Sequence, residues 1–203
     1  MKIVFASANK NKIREIQTLM REYLGDGIEV LSLADIGFFD DIEETGETFA
    51  ENALIKAKVA AGFGYIALAD DSGLSVEALD GAPGVYSARY CGHHGSDEEN
   101  NAKLLNELKG VSHRNAAYIC AIACAFPDGR EPIITMGDVQ GEILVSPRGK
   151  GGFGYDPLFW YDPYGKTFAE ITAEEKNAIS HRAKAVARMC ANLAPIIKEY
   201  ESK

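Results

Sequence analysis

The chain has no apolar run long enough to span a membrane, no low-complexity stretch and no internal repeat. It also lacks positive charge: 21 Lys and Arg against 30 Asp and Glu leave a net charge of −9. That excludes a general nucleic-acid-binding or anionic-membrane surface, so cations for any phosphate ligand must be concentrated in one pocket. The GxxxxGK[ST] signature of a Walker loop is missing. There are four cysteines. Cys120 and Cys124 sit in an apolar, strand-like run and Cys190 in a helical pattern, so these three read as buried thiols of a reducing compartment. Cys91-Gly92-His93-His94 holds metal-binding residue types, but no second ligand pair follows at zinc spacing. The amino end is apolar only over 1–6 before turning polar, too brief for a signal peptide. The expected compartment is the cytoplasm.

At 203 residues and 46% hydrophobic, the chain can bury a substantial core, and 1–203 is expected to form a single domain. A strand is expected over 2–6, then a polar loop over 7–12. A helix follows, with Ile13, Ile16, Leu19, Met20, Tyr23 and Leu24 on one face and Gly25 as its stop. Further strands are expected over 28–33, 66–69 and 74–79, and a helix over 48–61 ends at Gly62. Ser96-Asp97-Glu98-Glu99 is a capping box opening a helix that ends near Lys109-Gly110. Two long strands, 116–126 and 132–146, flank a hairpin signal at Pro127-Asp128-Gly129-Arg130. A last helix is expected over 180–200, kinked or shortened at Pro195. Mixing βα units with a long hairpin gives an α/β class, a mixed central sheet flanked by helices.

Five clusters carry chemistry. In Leu68-Ala69-Asp70-Asp71-Ser72-Gly73-Leu74, an apolar strand runs into what reads as a turn and aims two carboxylates toward the strand's carboxyl end. Such a pair suits Mg²⁺ binding, general-base work or both, although Asp, Ser and Gly also suit a plain solvated turn. Ser7-Ala8-Asn9-Lys10-Asn11-Lys12 joins the first strand to the first helix, where backbone amides and two lysines favour a phosphate. Glu43-Glu44-Thr45-Gly46 supplies a second carboxylate pair, ahead of a helix that places Asn52 and Lys56 on one face. Gly151-Gly152-Phe153-Gly154-Tyr155-Asp156-Pro157 combines glycines that let backbone approach a ligand with flat aromatic faces suited to a base. Near the carboxyl end, His181 and Arg182 fall in the first turn of the last helix, where cations oppose the helix dipole. An anionic or carbonyl-bearing ligand opposite them would account for that placement.

Taken in order, these motifs, together with Glu47-Thr48-Phe49, Glu51-Asn52-Ala53 and the 81–90 run Gly-Ala-Pro-Gly-Val-Tyr-Ser-Ala-Arg-Tyr, resemble the noncanonical purine nucleoside triphosphate pyrophosphatase family. The likeness covers nearly the whole chain. It departs at the first loop, where the family commonly has Thr-Gly-Asn and this chain has Ser7-Ala8-Asn9. The resemblance implies a long mixed sheet with two lobes around a nucleotide cleft, a homodimer and a divalent cation, usually Mg²⁺. It implies hydrolysis of ITP, dITP or XTP to the monophosphate and pyrophosphate. Asp71 takes the acid/base and metal role, with Glu43 as second metal ligand. Ser7, Ala8, Asn9, Lys10, Asn11, Lys12, Lys56, Ser72, Phe153, Gly154, Tyr155, Asp156, Lys176, His181 and Arg182 correspond to substrate contacts.

On this reading Arg182 or His181 donates to the purine 6-oxo group, and Asp156 or a backbone carbonyl accepts from N1–H. The alternatives are a pyrophosphatase for other modified nucleotides and a non-catalytic nucleotide-binding module.

Overall fold

The computed structural model describes residues 1–93 and 96–201; His94 of the cysteine–histidine motif lies outside them. In chain order the elements are β1 (Lys2–Phe5), α1 (Lys10–Leu24), β2 (Glu29–Leu31), α2 (Phe49–Ala61), β3 (Ile66–Val76), α3 (Asp97–Glu107), β4 (Asn115–Ala125), β5 (Ile133–Ile143), β6 (Phe159–Tyr161), β7 (Lys166–Thr167), α4 (Ala173–Ile179) and α5 (His181–Glu201). The sheet order is β2-β1-β3-β4-β5-β6-β7. β1 runs parallel to β2 and β3, whereas β6 is antiparallel to β5 and β7, so the sheet is mixed as expected.

The chain divides into two compact units. The first is Met1–Asp71, Cys120–Gly137 and Arg182–Lys203; the second is Ser72–Ile119 and Asp138–His181. In the first, strand alternation builds two different faces. Ile3 and Phe5 of β1, Ile66 and Leu68 of β3, and Cys120, Ile122 and Cys124 of β4 form one core with α1 and α5. Each large side chain buried there contributes roughly 1.5–3 kcal/mol. The intervening residues are small: Val4, Ala6, Ala67, Ala69, Ala121, Ala123 and Ala125 meet Ala53, Ala57, Ala60 and Ala61 of α2. Helix-to-sheet spacing follows side-chain size, so this alanine-lined face holds the α2 backbone close to the strands. The second unit has its own core of Leu74, Val76, Leu104, Leu108, Tyr118, Val139, Leu158, Phe159 and Phe168.

Two expectations need correction, and one helix was not expected. The Asp70-Asp71-Ser72-Gly73 stretch is not a turn between two strands; β3 runs unbroken from Ile66 to Val76. Tertiary partners override the local turn preference: the carboxylates find cations, and the Leu74 N–H is accepted by Ser87 Oγ at 2.9 Å. The last helix lies where expected, as α5, but a further helix, α4, precedes it. α4 opens on a capping box, Thr172 to Glu175, and Ser180 is extended between α4 and α5. Pro195 does not shorten α5, which runs on to Glu201. Among the described residues no helix is long and apolar enough to cross a membrane.

Candidate active site

Because adjacent strand residues point to opposite faces, β3 separates its two carboxylates. Asp70 shares the face of Ile66 and Leu68, toward α1 and α5. Its Oδ2 lies 3.1 Å from Lys12 Nζ and 3.1 Å from Arg182 Nη2. Its side chain is fully buried. Burial pushes its pKa up, but the charges of Lys12, Arg182 and Lys56 outweigh this and hold the group well below the usual carboxylate range. Arg182 is only 2% exposed and its other arm meets Glu15 Oε2 at 2.5 Å. The cation at the start of α5, which in the sequence suggested a ligand opposite, is therefore met by two carboxylates of the same unit.

Asp71 shares the face of Ala67 and Ala69, toward α2. Its Oδ2 accepts from Asn52 Nδ2 at 3.1 Å, and its Oδ1 is 4.0 Å from Lys56 Nζ. Lys56 and Glu44 form a close ion pair. Burial raises the Asp71 pKa and the negative charge of Glu44 adds to it; Lys56, Lys12 and Asn52 pull the other way without cancelling. Lys56 is the converse case. Burial lowers its pKa, yet Asp70, Asp71 and Glu44 more than compensate and keep it charged.

Asn52 is itself oriented, since its Oδ1 accepts from the Gly46 N–H at 2.8 Å. A Cβ at Gly46 would sit 2.6 Å from Glu51 Cβ and 2.8 Å from that Oδ1, so only glycine permits this approach. Thr48 and Glu51 complete a capping box that sets the start of α2 and hence the positions of Asn52 and Lys56. Of the acidic pair, Glu44 contacts Lys56, while Glu43 is exposed.

The 7–12 segment enters α1 through Asn9, whose side chain accepts from the Asn11 and Lys12 N–H groups. Ser7 Oγ accepts from the Asn9 N–H at 3.2 Å. Lys10 and Asn11 are exposed, as is Ala8. The first turn carries no acidic residue, so the positive end of α1 is reinforced by lysines.

The second unit assembles the remaining residues around Asp156, which is buried. Its Oδ2 lies 2.6 Å from Lys176 Nζ and accepts from the Phe153 N–H at 3.0 Å; its Oδ1 accepts from Tyr118 OH at 3.3 Å. Lys176 Nζ also sits 4.5 Å above the Phe153 ring centroid. The His181 ring stacks on Tyr118 at 4.8 Å, nearly parallel. Burial, with Asp156 next, drives the Tyr118 pKa far up, so it stays a hydroxyl donor. A Cβ at Gly152 would fall 2.2 Å from Asp156 Oδ2 at a φ of +71°, so glycine is required there too. α3 clamps Gly154 from both sides: Asp97 Oδ2 accepts from its N–H at 2.6 Å, and Asn101 Nδ2 donates to its carbonyl at 3.0 Å. Tyr155 OH donates to the Ser87 carbonyl at 2.8 Å.

Sequence reasoning named Asn52 with Lys56, but missed Glu15, Tyr118, Asp97 and Asn101 as partners of site residues. Chemically, the first unit offers hard oxygens beside fixed cations. Asp71 and Glu44 fit a divalent cation such as Mg²⁺, which takes one or two carboxylates plus phosphate oxygens and water. The mutual repulsion that contributes to the raised Asp71 pKa is what such an ion would relieve.

The sequence model of the Ham1 family matches residues 3–192. The dITP/XTP pyrophosphatase of Geobacter sulfurreducens is 53% identical over 191 residues, covering 92% of this chain and 93% of that protein. The dITP/XTP pyrophosphatase of Listeria monocytogenes is 47% identical over 205 residues, covering 100% and 99%. Among solved structures, a HAM1 protein from Coxiella burnetii is similar with a TM-score of 0.86 at 44% identity, over 96% of this chain and 99% of that one. The Ham1 protein of Staphylococcus aureus gives 0.85 at 41%, over 95% and 98%. With a match that leaves out only the two ends and relatives aligned along nearly their whole length, the chain belongs to the Ham1 family.

Proposed function

We propose that this chain is a nucleoside triphosphate pyrophosphatase that hydrolyses dITP, ITP and XTP to the monophosphate and pyrophosphate. The observation that carries the reading is the division of labour on β3: one carboxylate locked into buried ion pairs, its neighbour left with a raised pKa beside a lysine. Family membership and the names of the relatives, dITP/XTP pyrophosphatase, support it.

Asp71 serves as general base. Its carboxylate is oriented by Asn52 beside Lys56, where it can accept a proton from water. It takes a proton from the water whose oxygen bonds to the α-phosphorus, while the bond from that phosphorus to the bridging oxygen breaks and pyrophosphate leaves. Lys12 and Lys56 supply fixed positive charge for the triphosphate, the kind of stabilisation that dominates phosphoryl-type transfer. Mg²⁺, held by Asp71 and Glu44, would neutralise phosphate charge when bound; the resemblance nominates Glu43, and the geometry favours Glu44. Asp70 and Arg182 hold Lys12 in place.

The resemblance nominates Phe153, Asp156, Lys176 and His181 as substrate contacts, and their chemistry suits the base. Phe153 offers a stacking face, and Lys176 or His181 a donor for the 6-oxo group. Asp156 retains lone pairs on Oδ1 for an N1–H. Adenine reverses both hydrogen-bond signs, and a site of this kind rejects a mismatched partner by up to ~10⁴–10⁵-fold. Arg182, tied to Asp70 and Glu15, contributes to positioning in this scheme. A homodimer, which the resemblance implies, and a cytoplasmic setting, to which four free thiols are suited, belong to the same proposal.

The test is a panel of nucleoside triphosphates with and without Mg²⁺, scored for pyrophosphate against phosphate. Mg²⁺-dependent pyrophosphate release from dITP, ITP or XTP well above that from ATP is expected. Tight binding of ITP without turnover would leave only a nucleotide-binding module.

A further inference from the structure

Outside these groups, Cys91, His93 and Glu99 lie together at the start of α3. One ligating atom from each falls within 4.8 Å of the other two, the one such group of three among the described residues. Cys91 Sγ is 3.8 Å from His93 Nδ1, and Glu99 Oε2 is 3.9 Å from the other ring nitrogen, Nε2; a single ion takes one of the two nitrogens. In a tetrahedral zinc site, bonds of ~2.0–2.3 Å put neighbouring ligand atoms roughly 3.3–3.6 Å apart. Rotation of the exposed His93 and Glu99 side chains would bring one imidazole nitrogen, the thiolate and a Glu99 oxygen from within 4.8 Å to these distances.

Two of the three residues are already positioned by hydrogen bonds. The Cys91 N–H donates to Asn100 Oδ1 at 2.9 Å, tying that loop residue to the first turn of α3. Glu99 Oε2 accepts from the Ser96 N–H at 3.3 Å as part of the capping box and keeps a second lone pair for a ligand. Cys91 is partly exposed and His93 is exposed, so a water can complete the coordination. The donor set mixes thiolate, imidazole and carboxylate, which selects a borderline-soft ion over Mg²⁺.

We infer that Cys91, His93 and Glu99 form a binding site for a thiophilic divalent cation of the Zn²⁺ class, separate from the carboxylates of Asp71 and Glu44. Binding would release the thiol proton. The same helix turn carries Asp97 and Asn101, which clamp Gly154, so an ion here would sit on the element that holds the 151–157 loop.

The inference is tested by titrating Co²⁺, then Zn²⁺, into the full-length protein in millimolar Mg²⁺, which occupies hard-oxygen sites. One equivalent of Co²⁺ should give a thiolate-to-metal charge-transfer band that Zn²⁺ abolishes. Cys120, Cys124 and Cys190 are buried, so the band reports Cys91. Cys91→Ser should remove it. Glu99→Gln, which keeps the capping box because Gln closes it too, should weaken Zn²⁺ binding at least ~10-fold without lowering the metal-free melting temperature. Absence of the band at one equivalent, or Zn²⁺ affinity within twofold of the parent in both variants, would overturn the site.

Discussion

Replacing each β3 carboxylate by its isosteric amide should separate a structural aspartate from a chemical one. Asp70→Asn changes no volume, so its cost is electrostatic. Lys12, 17% exposed, can turn toward water when its partner loses charge; Arg182, at 2%, cannot. Breaking a buried ion pair by removing one partner costs about 3–5 kcal/mol, and Arg182 keeps Glu15, which points to the lower end, about 3 kcal/mol. For a chain of this size that lowers the melting temperature by roughly 6–12 °C. Asp71→Asn should behave oppositely. Lys56 retains Glu44, and the amide oxygen can still accept from Asn52, while a carboxylate that folding makes harder to ionise is gone. Metal-free stability should hold or rise, and turnover on ITP should fall ~10²–10⁴-fold.

The pH dependence has opposite signs for the two groups. Asp71's folded pKa is raised, so its penalty is full above that pKa and vanishes as pH falls below the unfolded value near 3.9. Any gain from Asp71→Asn is therefore seen at neutral pH and shrinks on acidification. Asp70's folded pKa is depressed, so its contribution is present above ~3.9 and is lost as pH falls through the folded value. Calorimetric melts without Mg²⁺, paired with pyrophosphate release assays, check both. Equal destabilisation by the two variants, or an Asp70→Asn protein that melts with the wild type, would refute the assignment.

Gly46→Ala places a methyl group against Glu51 Cβ and Asn52 Oδ1; it should displace Asn52 and reduce kcat on ITP at least ~10-fold while circular dichroism stays unchanged. Lys176→Met leaves Asp156 buried with only neutral donors and should narrow the ITP-over-ATP ratio of kcat/KM at least ~10-fold, with a stability loss of about 3 kcal/mol measured by urea unfolding. Ala57→Leu overfills the alanine-lined face and should cost about 1–3 kcal/mol in the same assay.

Much of the fold was legible where periodicity and caps agree. α1, α2 and α3 follow their apolar spacing and Asn9, Thr48 and Ser96 caps, and the β4–β5 hairpin follows its Pro-Asp-Gly turn. α4 was not expected, although Thr172 and Glu175 spell the same capping box as Ser96 and Glu99. The Asp70-Asp71 stretch misled because its residues prefer turns, and nothing local announces the lysines and arginine that hold it extended. The Arg182–Asp70 bond spans 112 positions and the Arg182–Glu15 bond 167, separations at which sequence spacing carries no geometric information. The choice between Glu43 and Glu44 likewise depends on the position of Lys56 on α2, which the 43–46 motif does not contain. Phe153 and Asp156 were anticipated as one cluster, whereas the pairing of Lys176 with Asp156 and its place above the Phe153 ring were not.

The alanine-lined face has a consequence for the chemistry. β3 is paired with β1 so that Ile66 lies opposite Ile3 and Leu68 opposite Phe5. A slip by a single residue would exchange the surroundings of the two aspartates, presenting Asp70 to Lys56 and burying Asp71 among Lys12 and Arg182. It would also drive isoleucine and leucine into a layer built for methyl groups. The thin packing under α2 thus acts as a proofreader of strand alignment, and an apparently inert row of alanines decides which of two identical side chains faces Lys56.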